Sequence, residues 1–73
     1  MRYEILEELE GEGLVSTFST DYREGALRVA AGIVDCAKYD GYDYLVVLRD
    51  EELGEELKRW DALEEKRAAE KSK

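Results

Sequence analysis

Seventy-three residues with nineteen acidic and eleven basic side chains, no histidine and one cysteine make a single small domain, 1–73, of net charge −8. That inventory excludes a Cys/His zinc site and an intramolecular disulfide, and it disfavours direct binding to nucleic acid or an anionic membrane, since phosphate contacts need Lys and Arg to displace counterions. The longest aliphatic run is Leu45–Leu48, far short of the ~18 residues of a membrane span, and no hydrophobic leader precedes it, so a cytoplasmic location is expected.

Residues 1–9 alternate, with Met1, Tyr3, Ile5 and Leu9 on one parity and Arg2, Glu4 and Glu8 on the other. This predicts a half-buried strand in which Leu6 and Glu7 break the pattern. Glu10-Gly11-Glu12-Gly13 reads as a turn, and Leu14–Thr20, rich in β-branched and aromatic residues, as the second strand of a hairpin. Asp21 and Glu24 form a capping-box-like pair, with Thr20 as a competing cap, ahead of a helix to about Tyr39. Its expected core face is Ala26, Ala30, Ile33 and Ala37, flanked by Leu27, Val29, Val34 and Cys36, and Gly41 is placed to end it. Cys36, with no base to activate it, is expected as a buried thiol. The run at 42–49 then supplies a third strand. Because the helix is a crossover, this strand belongs beside the first, giving an antiparallel sheet of order 2-1-3 with one helix on its face.

The tail admits two readings. Leu53, Leu57, Trp60 and Leu63 lie near helical spacing, Asp50 can cap, and the residues are strong helix formers, which predicts one helix from Glu51 to about Lys71. Such a helix would cover the other face of the sheet and account for a run that is apolar on both parities. The alternative is a turn at Asp50–Gly54, a fourth edge strand at 55–60 and a short helix, favoured by Gly54. Residues 68–73 are expected to fray. The fold class is α+β either way, and no internal repeat is apparent.

No grouping suits catalysis, a cofactor or a metal. Gly11-Glu12-Gly13 lacks the lysine of a phosphate loop, Asp40-Gly-Tyr-Asp43 lacks the spacing of a calcium loop, and the paired glutamates at 7/8, 51/52, 55/56 and 64/65 read as solvated faces. Enzymatic activity is therefore not expected. More informative is the cluster Tyr39, Asp40, Tyr42, Asp43 and Tyr44, since tyrosine and aspartate together accept Arg and Lys from a basic protein.

A short α+β chain with Glu-rich strands, no cofactor motif and excess acid resembles the phage-encoded inhibitor proteins, the anti-CRISPR and DNA-mimic class. The resemblance implies a stoichiometric blocker that occupies a basic nucleic-acid-binding surface of a host protein or complex. Carboxylates would stand in for phosphates, with Glu4, Glu7, Glu8, Glu10 and Glu12 as the candidates and Tyr42 or Tyr44 as aromatic anchors beside Asp40 and Asp43. The alternative expectation is a homodimeric structural or assembly protein, its acidity serving solubility, joined through Leu53, Leu57 and Trp60.

Overall fold

The computed structural model describes residues 2–71 and runs β1 (Tyr3–Leu9), β2 (Val15–Thr20), α1 (Arg23–Asp40), β3 (Tyr44–Asp50), β4 (Glu55–Asp61) and α2 (Ala62–Lys71). The strands form one antiparallel sheet in the order β2-β1-β3-β4, so the expected 2-1-3 arrangement is present with a fourth strand added beside β3. The chain is two successive ββα units joined through the central β1–β3 pair. This is a repetition of elements that leaves no trace as a repeat of residues.

Alternation along β1 decides which side chains meet the helices. Ile5 is fully buried, its register partner Leu48 is fully buried, and both lie in one cluster with Ala26, Ala30, Val34 and Ala37 of α1. Complete burial of Ile5, Val46 and Leu48 stabilises the fold by about 1.5–3 kcal/mol each. Alanines at 26, 30 and 37 bring α1 close to the sheet. Val34 takes the deep position expected of Ile33, which is only half-buried. Gly41, at φ 78°, ends α1 by donating its N–H to the Ala37 carbonyl at 2.9 Å.

The start of α1 differs from the capping box expected of Asp21 and Glu24. Tyr22 occupies the cap position and makes no side-chain capping bond. Asp21 Oδ1 instead accepts the Arg2 N–H at 3.1 Å, and Thr20 Oγ1 accepts the Tyr22 N–H at 3.2 Å. These two bonds fix the approach to the helix from the hairpin side.

The single tail helix does not form. The hairpin alternative does, because Asp50 builds its turn: Oδ1 accepts the N–H groups of Glu52 at 3.0 Å and Leu53 at 3.2 Å, while its carbonyl accepts the Gly54 N–H at 2.8 Å. Gly54 sits at φ 67°, outside the right-handed helical region. Asp50 is thus a turn former, and the cap of α2 is Asp61, whose Oδ1 accepts the Glu64 N–H at 3.1 Å.

Nor does the tail cover the second face of the sheet. α2 packs beside α1, with Ala62 inside the core cluster and Lys38 Nζ 3.9 Å from Glu65, so both helices share one face. Val47, on the opposite parity, is still only 3% exposed, flanked in register by Leu6 and Arg59. Its cross-strand neighbours Leu6 and Arg59 stand beside it there in place of a helix. α2 continues through Lys71, and the rest of the segment expected to fray, 72–73, lies outside the described residues. Among those described, no helix is long and apolar enough to cross a membrane.

Candidate interaction surface

Strand register divides the glutamates of the hairpin. Glu7 shares the helix-covered face with Ile5, whereas Glu4 and Glu8 project from the open face. There they meet positive charge. Glu4 lies opposite Arg49, and the Arg59 guanidinium, raised above its ordinary pKa mainly by its hydrogen bond to Glu56, is raised further by Glu8. The open face is therefore of mixed sign, and Glu4 and Glu8 do not join the other candidate carboxylates.

Glu7 points inward and serves a neighbour. The Tyr44 hydroxyl donates to Glu7 Oε1 at 2.5 Å, a diagonal contact between β1 and β3. The hydrogen bond to Glu7, with partial burial and the carboxylate's charge adding to it, pushes the Tyr44 phenol up to about 12. Since this folded value lies above the ordinary one, the contact stabilises the fold fully below pH ~10 and loses its contribution as pH climbs toward 12. Tyr44→Phe should cost about 1–2 kcal/mol at neutral pH and remove the tyrosinate absorbance component that rises near pH 12. Urea unfolding and an ultraviolet pH titration check both.

The remaining candidates converge at one end of the sheet. Glu10, at φ 49° in the β1–β2 turn, donates its N–H to the Asp43 carbonyl at 2.8 Å, tying the turn to the entry of β3. The Glu12 N–H closes the same turn on the Leu9 carbonyl at 3.1 Å. Asp40 and Tyr42 flank Gly41 at the end of α1. Glu10, Glu12, Asp40, Tyr42 and Asp43 are all exposed, and Tyr39 beside them is 91% exposed.

An apolar cleft of about 590 Å³ opens next to this acidic end. Val29, Ile33 and Cys36 of α1 form one wall, Leu9 and Tyr44 supply the sheet side, and Asp40 and Tyr42 stand at the mouth. Cys36 is exposed here, a correction to its expected burial. α1 carries a wider apolar stripe than the core consumes: Ala26–Ala30–Val34–Ala37 faces inward, and Val29–Ile33–Cys36 is left beside it. That surplus width is the signal in the sequence that marks the cleft.

The expected self-association patch is not assembled. Leu53 lies exposed in the β3–β4 turn, Leu57 packs half-buried against the core, and Trp60 is 8% exposed within it, with Lys58 Nζ 4.9 Å from its ring centroid. Compared with protein-family models, curated proteins and solved structures, the chain matches none.

Proposed function

We propose that this protein is a non-enzymatic acidic binding module that engages a basic surface of another protein through the end of its sheet. The observation that carries this reading is the convergence of Glu10, Glu12, Asp40, Tyr42 and Asp43, drawn from two chain segments far apart in sequence, beside an open apolar cleft. Exposed carboxylates around rigid aromatics suit a partner that presents Arg and Lys around an apolar side chain. A net charge of −8 adds steering from a distance. In the finer form of this proposal the basic surface is one that holds nucleic acid, as in the inhibitor class the sequence resembles. The carboxylates standing in for phosphates are then those of the turn and the α1–β3 corner, rather than a row of five along the hairpin.

The test uses an arginine-rich peptide as probe and two charge-matched variants, Glu10→Lys/Asp43→Lys and Glu4→Lys/Glu8→Lys. Calorimetric titration should show at least about a tenfold weaker Kd for the first pair and under about threefold for the second. Raising salt to about 0.5 M, where the Debye length is roughly 4 Å, should weaken the wild-type complex steeply. Equal losses in the two pairs would mean that net charge alone binds the probe, and the site would be wrong.

A further inference from the structure

The two edges of the sheet are built differently. β4 carries five charged side chains in seven residues, Glu55, Glu56, Lys58, Arg59 and Asp61, whereas β2 carries none in six. Charges along an edge oppose pairing with another strand, and an uncharged β-branched edge invites it. Both edges bulge, at Thr17 and at Leu57, so side-chain charge is what separates them.

The helix-covered face beside β2 is also unfinished. Phe18 lies opposite Ile5 and Val15 opposite Glu7, so both project to the side of the sheet that carries α1. Yet Val15 is 63% exposed and Phe18 39%. α2 packs against α1, β3 and β4, on the side of α1 where Lys38 approaches Glu65, and so lies away from the exposed Val15 and Phe18 of β2.

We propose that β2 pairs antiparallel with β2 of a second copy, giving a continuous eight-stranded sheet with the two α1 helices flanking the seam on one face. The two-fold axis of such a pair presents the same strand to itself, an isologous contact. Charge selects the occupant. Two chains of −8 repel wherever their carboxylates face one another, and β2 is a strand along which they meet with no charge opposed. A basic partner gains nothing at an uncharged strand and is drawn to the acidic turn. The pairing covers Val15 and Phe18 and leaves a turn at 10–13 open at each end of the seam. It does not rest on the binding reading above, and either can fail alone.

Sedimentation velocity of the full chain over about three decades of concentration is the first measurement. The expected species is a dimer of twice 8.4 kDa. Val15→Lys should weaken the dimer by at least about tenfold, while Leu53→Lys, at an equally exposed apolar position on the opposite hairpin, should leave it unchanged. Hydrogen exchange on the wild type gives an answer even where Val15→Lys fails to fold: amides of β2 should gain protection as concentration rises. A monomer throughout, a dimer as sensitive to Leu53→Lys as to Val15→Lys, or β2 amides indifferent to concentration would each overturn the proposal. None of these outcomes alters binding of the arginine-rich peptide, so the two readings are separable.

Discussion

Leu48→Ala is expected to lower Tm by about 10–20 °C, the effect of losing roughly 3 kcal/mol from a small domain. Leu48 is fully buried at the centre of β3, beside Ile5 and beneath α1, where neighbouring alanines cannot extend into the space it vacates. A chain of 73 residues has about 4–11 kcal/mol of stability in total, so this one truncation removes a large share of it. Val47→Ala supplies the contrast. Val47 is nearly as buried, but its cross-strand neighbours on the open face are Leu6 and the long, flexible Arg59, side chains able to settle into the gap. Urea denaturation should rank Leu48→Ala well below Val47→Ala. Equal losses would show that the open face holds a packed core of its own.

The second large effect is expected at Asp50, a carboxylate with a 3% exposed side chain held by three donors. Burial alone would raise its pKa. The Leu53 N–H, the Arg2 guanidinium and the Glu52 N–H outweigh burial, and the carboxyl ends below its ordinary value. A depressed folded pKa means that the contribution is complete above the ordinary carboxylate range and lost as pH falls through the folded value. Asp50→Ala, which removes the turn acceptor and the ion pair together, should lower Tm by more than the few degrees that surface substitutions produce. Asp50→Asn keeps an acceptor for the turn and removes only the charge, so its deficit against the wild type should be widest at neutral pH and shrink below about pH 4. Thermal melts across pH 2–7 check this, and a deficit independent of pH would remove the charge from the account.

The first fifty residues are legible in the sequence because each segment repeats with the period of the structure it forms. β1 alternates around Ile5, α1 places small residues at helical spacing, and Gly41 stands where a left-handed residue is needed. The tail misleads because Glu, Leu, Lys and Arg favour a helix locally, while the free edge of β3 offers backbone partners that local preference does not register. Asp50 carries the same ambiguity, since one carboxylate can cap a helix or close a turn, and Gly54 is the residue that decides.

The candidate surface is legible in part for a related reason. Asp40, Tyr42 and Asp43 stay together in space because they are neighbours in the chain, and Glu10 reaches them through a backbone bond that side-chain patterns do not encode. Glu4 and Glu8 part from Glu7 because strand parity sends them to opposite faces. Trp60 is drawn inward by its place opposite Val46 on a strand that the helical reading omits.

The central pairing of the two ββα units sets the order in which the chain can be completed. β1 is an interior strand, yet its second neighbour arrives late: the ladder joins Leu9 to Tyr44 and Tyr3 to Asp50, separations of 35 to 47 residues. At a synthesis rate of about 5–20 residues per second, a nascent hairpin waits seconds with one flank of Ile5 unsheltered. Closing so long a loop costs conformational entropy before any ladder bond repays it, which places the rate-limiting event at the meeting of the halves. Stopped-flow refolding should therefore slow more on weakening the β1–β3 seam, as with Val46→Ala, than on weakening the local β3–β4 turn.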